Sequence, residues 1–195
     1  MPSGIGAWLE DVRRVMADDP RHGLLLAAYY LYVGANLTVT SRYPVGTPVF
    51  EREWDVLVVL DACRVDAMQA VADEFDFIGE VDSVRSVGST SGEWMAHTFD
   101  RSYEAAIGET AMVTSNMHSD HVLRKRNCPP QFVAAPLAWP EWDPVGPDTF
   151  QRLDEVWDYG WDEDLGTVPP RTVTDRAITV GRNGDHDLQR AAAQH

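Results

Sequence analysis

Residues 54–66 read WDVLVVLDACRVD, and within them Val56, Leu57, Val58, Val59 and Leu60 run without a polar interruption. A half-buried strand alternates polar and apolar side chains, whereas a strand covered on both faces does not, so this run predicts a central strand of a parallel sheet. It ends at Asp61. In open α/β sheets ligand crevices form at the carboxyl ends of the strands, which puts this carboxylate where sites form. The same position also suits a plain helix cap, since an Asp at a helix start satisfies orphan backbone donors. Apolar residues at Ala67, Ala70, Val71 and Phe75 predict a crossover helix over 66–75, and Phe77 to Val81 a short strand after it. Strand, helix, strand implies parallel pairing.

The pattern extends in both directions from this unit. Leu9, Val12 and Met16 lie on one face of a short amphipathic helix that stops at Pro20, and a second helix covers 21–35. The segment 41–50, with Pro44, Gly46 and Pro48, reads as an irregular crossing. Downstream, 93–99 predicts a helix, 111–114 a strand and 174–182 a last helix. Between them lies a stretch punctuated by Pro129, Pro130, Pro136, Pro140, Pro144 and Pro147 and by Trp139, Trp142, Trp157 and Trp161, the texture of an irregular lobe packed by aromatics. A single α/β domain over 1–195 follows: a helical and irregular lead-in over 1–50, a sheet core over 51–127, the Pro/Trp-rich lobe over 128–172 and a polar, loose tail over 183–195.

Composition narrows the partners. Sixteen basic residues against 31 acidic ones give a net charge of −15, which repels nucleic acid and anionic surfaces, so no nucleic-acid partner is expected. Lys125 is the only Lys beside fifteen Arg, a balance resembling that of a halophile's cytosolic protein. Two cysteines, Cys63 and Cys128, are too few for a disulfide framework, and no secretory leader pattern opens the chain, so the expected location is cytoplasmic. The apolar run Gly23 to Ala35 is shorter than the roughly 20 residues that span a bilayer, and it predicts a buried helix with no transmembrane span. Cys63, beside Asp61, is expected on a buried turn as a small apolar residue.

Two groups of residues carry chemistry beyond Asp61. Residues 88–95 read GSTSGEWM, a hydroxyl-rich turn opening a helix, where backbone amides receive anions and a hydroxyl can act as a nucleophile. Ser and Thr are also favoured there as structural caps, and Glu93 completes a helix-start pattern. Arg64 is placed to orient Asp61 or hold an anionic substrate, or equally to form a surface ion pair. His118 and His121 share a helical face with Asp120 between them, but three or four convergent ligands make a metal site, and these, like Asp120-His121 and Asp185-His186 as pairs, read as solvated polar residues.

Taken together, WDVLVVLDACRVDAM and GSTSGEWM resemble the alkaline phosphatase superfamily, in particular short sulfatase-like hydrolases of haloarchaea, over roughly residues 50–180; VWDYGWDEDLGTVPPRTVTDRAI resembles a later stretch of the same proteins. The resemblance implies a three-layer αβα sandwich around a mostly parallel sheet, Asp61 as metal ligand, and Thr90 as nucleophile and metal ligand, with Ser89 and Ser91 as alternates and Arg64 in support. It implies a divalent metal, Zn, Mn, Mg or Ca, and a small-molecule phosphate or sulfate ester as substrate. The family's later Asp-His-Gly motif has no counterpart here. The expected function is therefore metal-dependent ester hydrolysis, or, if the copy is truncated and inactive, a non-catalytic remnant or binding module keeping the same crevice.

Overall fold

A computed structural model describes residues 5–61, 63–127 and 141–192. The chain is mixed α/β. It opens with two antiparallel helices, α1 (Ile5–Asp18) and α2 (Pro20–Thr40). Asp19 makes the corner between them: its side chain accepts from the amides of Arg21 and His22 at 2.9 and 3.2 Å, and Pro20 supplies a first helical residue whose missing amide is no loss. The two helices touch closely at Gly23, where an added Cβ would fall 2.2 Å from Cγ of Met16. Leu9, Val12 and Met16 do form one face of α1, and Val12 is buried.

Helices α3 (Val65–Ala72), α4 (Ser91–Thr98) and α5 (Glu104–Gly108) follow, then strand β1 (Ala111–Thr114), a single π-helical turn over Asp120–Arg124, strand β2 (Arg152–Glu155) and the long helix α6 (Pro170–Ala192). β1 and β2 pair in parallel, in register from Ala111 with Arg152 to Thr114 with Glu155. The core lies between α4, α5, the π turn and the segment before β2. Met95, Ala96, Phe99, Ile107, Val122 and Leu123 are buried there, with Phe99 edge-on to Phe150 at 5.1 Å. α6 is tied to the sheet by Asp154, which accepts from Arg176 Nε at 2.6 Å and from the Tyr159 hydroxyl at 2.7 Å.

Four expectations are corrected. Val56 to Leu60 carries no regular secondary structure and joins neither strand of the sheet, and its residues are 41–79 % exposed. An unbroken apolar run becomes a central strand only when chain lies on both sides of it, and among the described residues none does. Residues 77–81 form no strand either, and Phe77 is exposed within a turn that closes from Phe75 to Ile78. Cys63 is exposed. The run Gly23 to Ala35 lies within a 21-residue helix that is not buried: its outer face is exposed, and by length and composition alone α2 is sufficient to cross a membrane.

Elsewhere the elements fall near their expected places. The helix expected at 93–99 is α4, the strand at 111–114 is β1, and the last helix begins four residues before Thr174 because Pro170 can open it. The segment expected as a loose tail carries helix through Ala192. Of the Pro/Trp-rich lobe, residues 128–140, with Trp139 and four of the prolines, lie outside the described residues. Of the rest, Trp142 packs against the core and Trp157 donates its indole N–H to Ser119 at 3.0 Å.

Candidate functional site

Three distant segments meet at Asp61. Its Oδ2 accepts a hydrogen bond from the Ser91 hydroxyl at 3.1 Å and another from Asn116 Nδ2 at 3.1 Å. Asp61 arrives at the end of the apolar run, Ser91 is the first residue of α4, and Asn116 stands two residues beyond β1. Asn116 is itself held on both sides. Its backbone amide donates to the Thr114 hydroxyl at 3.0 Å, and its side-chain Oδ1 accepts from the His118 amide at 3.0 Å. The carboxylate therefore sits beside a hydroxyl at the amino end of a helix and a fixed carboxamide, at the carboxyl end of a parallel strand. That is where the α/β rule expects a crevice.

The GSTSGEWM turn divides its labour. Thr90 is the N-cap of α4, its hydroxyl accepting from the Glu93 amide at 3.2 Å. Ser89 turns the other way and donates through both its hydroxyl and its amide to Glu93 Oε2, at 2.6 and 2.8 Å. The remaining oxygen of Glu93 accepts from the Thr40 hydroxyl at the end of α2, at 2.9 Å. This is a capping box displaced by one residue, with the acid reaching back to the residue before the cap. Burial works to raise the Glu93 pKa, but the donors from Ser89 and Thr40 outweigh it, and the carboxyl is held below its usual value. Gly88 makes the turn possible, since a Cβ there would fall 2.3 Å from the Trp94 backbone nitrogen. Of the three hydroxyls, Ser91 alone reaches Asp61, and Ser89 and Thr90 are occupied in building the helix start.

Arg64 does not join the group. Its guanidinium makes a two-point ion pair with Asp66 at 2.9 and 2.8 Å on an exposed surface, and that bond raises its pKa. His118 and His121 lie ring to ring at 6.0 Å, and Asp120 between them is paired with Lys125 at 2.5 Å. His118 Nδ1 is buried with no hydrogen-bond partner. The pair Asp185-His186 falls on the part of α6 whose side chains are not described. His97 packs edge-on to Trp142, whose indole N–H donates to Nε2 at 3.2 Å. Burial holds that imidazole below its usual pKa despite the opposing pull of Glu93 and Asp100.

Among the described residues no three His, Cys, Asp or Glu side chains converge. At the Asp61 corner the donor set is one carboxylate and one neutral hydroxyl, with Asn116 turning its NH2 group inward. A two-ion clamp needs several anionic or imidazole ligands per ion, so these residues alone do not fit one. Asn116 was not singled out from the sequence. The signal was present, because it follows a predicted strand as Asp61 follows its apolar run, and strand carboxyl ends are where site residues gather. No family model, no curated protein and no solved structure matches the chain in the comparisons made.

Proposed function

We propose that the Asp61 corner is the nucleophile corner of a site for phosphate or sulfate esters, of the kind the resemblance to the alkaline phosphatase superfamily implies, within a cytoplasmic protein of three-layer αβα type. The observation that carries this reading is the Ser91–Asp61 hydrogen bond. It gives a hydroxyl at a helix amino terminus an anionic acceptor brought from a different part of the chain. In this reading Asp61 orients the Ser91 hydroxyl and receives its proton as Ser91 Oγ attacks the phosphorus or sulfur. The bond to the ester's alcohol or phenol breaks, and that group leaves with the proton from Asp61. Water then hydrolyses the Ser91 ester, and Asn116 fixes Asp61. The positive end of the α4 dipole, at whose first residue Ser91 stands, would favour the oxyanion. A divalent metal, Zn, Mn, Mg or Ca, would offset charge on the ester oxygens, and holding it takes donors beyond Asp61 and Ser91.

A second reading, a binding module that keeps the crevice without turnover, is favoured by that short donor set. The two are separated by assaying aryl phosphates and aryl sulfates with and without added Mn or Zn, in the wild type and in Ser91→Ala, Asp61→Asn and Thr90→Ala. Hydrolysis requires metal-dependent turnover that falls at least about 100-fold in Ser91→Ala and Asp61→Asn, the scale of losing a nucleophile or its base, and that survives in Thr90→Ala. Loss in Thr90→Ala with activity retained in Ser91→Ala would overturn the assignment of Ser91. Equal background rates in all four proteins would leave the binding module.

A further inference from the structure

The outer face of α2 is apolar from Leu24 to Val39, with exposed Arg21 in the turn before it and exposed Asn36 near its edge. Leu25, Ala28, Tyr32, Ala35 and Val39 are all exposed and recur at intervals of three and four residues, the spacing of a seam between two helices. Leu24, Tyr29 and Leu31 flank this seam and are exposed as well, so the bare strip covers nearly half of the helix circumference. No charged residue interrupts it: between His22 and Arg42 the chain has neither acid nor base. The opposite face, which includes the buried Gly23 and Gly34, is turned toward the protein. Large and small residues alternate along the seam, which lets a second helix approach closely with Tyr and Leu seated over Ala.

We infer that this face is where two copies of the chain associate, α2 against α2, the two α1–α2 hairpins together making a four-helix bundle. The exposed side chains offer on the order of 700 Å² per copy, which doubled reaches the roughly 1,200–2,000 Å² of a stable, specific interface. A face that meets its own copy across a two-fold axis needs to complement only itself, and an uncharged strip does so without placing like charges together. The remainder of the molecule, with a net charge of −15, does not.

A lipid bilayer fits the surroundings of this helix less well. α1 lies along α2 and carries exposed Glu10, Arg13, Arg14 and Asp18, so lipid cannot encircle the helix. The carboxyl end of α2 is fastened to the polar body through Thr40 to Glu93 at 2.9 Å and Arg42 to Glu141 at 2.6 Å. The chain's acidity also opposes an anionic membrane surface. A second copy places the strip in the buried setting that its composition predicts.

The test is the mass of the full-length protein in solution, by sedimentation equilibrium at tens of micromolar chain. A dimer of twice 21.8 kDa is expected, with association tightening as salt rises because both copies carry the same net charge. Tyr32→Glu and, separately, Ala35→Arg are expected to weaken association at least about 100-fold, since each buries an unpaired charge in the seam. Both sites are exposed in the single chain, so helicity by circular dichroism should be unchanged, and the two variants check one another. Val58→Glu, in the other exposed apolar run, is expected to leave the dimer intact. A monomeric wild type overturns the inference. So does a dimer that survives Tyr32→Glu and Ala35→Arg, or one that Val58→Glu dissolves. Flotation of the wild type with phosphatidylcholine vesicles, lost in Tyr32→Glu, would assign the face to lipid instead.

Discussion

The hydroxyl of Thr40, the last residue of α2, donates to Oε1 of Glu93 across 2.9 Å, so a single buried carboxylate joins the long amino-terminal helix to the helix that carries Ser91. Glu93 is 7 % exposed and takes two further donors on its carboxylate, the hydroxyl and the amide of Ser89, while its own amide donates to the Thr90 hydroxyl. The joint is thus electrostatic as well as steric, and it titrates.

Because the folded Glu93 pKa is depressed, its stabilisation is complete above the ordinary carboxyl range and is lost as pH falls through the folded value. Glu93→Gln keeps the shape and part of the hydrogen bonding but removes the charge. It is expected to cost about 1–2 kcal/mol at neutral pH and much less in acid, where the wild-type carboxyl is protonated too. Denaturant unfolding of both proteins across the acid range measures this, and a constant difference at every pH would refute the charged joint.

Thr90 and Ser91 are adjacent hydroxyls with separate duties. Removing the N-cap, Thr90→Ala, is expected to lower stability by about 1 kcal/mol. Ser91→Ala, which loses only a bond at the exposed Asp61 corner, should stay within about 0.5 kcal/mol of wild type. Urea titration of the two variants decides it, and the reverse order would mean that Ser91 is the cap.

Asp154 couples β2 to α6. Burial favours its neutral form, but Tyr159 and Arg176 overcome this and hold the carboxyl below its usual value. In Asp154→Ala, Arg176 and Tyr159 lose their acceptor, and a loss of about 2 kcal/mol is expected, together with faster proteolysis within α6. Limited digestion followed by mass spectrometry would locate the cuts, and cleavage confined to other segments would count against the role given to Asp154.

Much of the local structure was legible in the sequence, because capping and periodicity are local physics. Ala111 to Thr114 reads as a strand and is one, the helix after GSTS starts where its hydroxyls cap it, and Asp61 lies in a group of polar residues drawn from afar. What was not legible depended on contacts between segments. Val56 to Leu60 has the composition of a central strand, but a strand needs neighbours, and composition does not supply them. The apolar character of α2 predicts burial without saying what does the burying. The choice among Ser89, Thr90 and Ser91 was equally hidden. Successive residues at a helix start point about 100° apart, and only the direction from which Asp61 arrives selects one of them. Asn116 entered the group for the same reason, through the pairing of β1 with a strand about forty residues later.

The exposed Val56–Leu60 run also bears on how the protein must be handled and kept. Five consecutive apolar residues, three of them the β-branched Val, with exposed side chains make a template for amyloid-like stacking, and among the described residues nothing covers them. What keeps such molecules apart is mutual repulsion from their surplus carboxylates. That protection fades toward the isoelectric point near pH 4.6, where precipitation should set in without prior unfolding. Colloidal lifetime, in this chain, is set by its acids and not by its core.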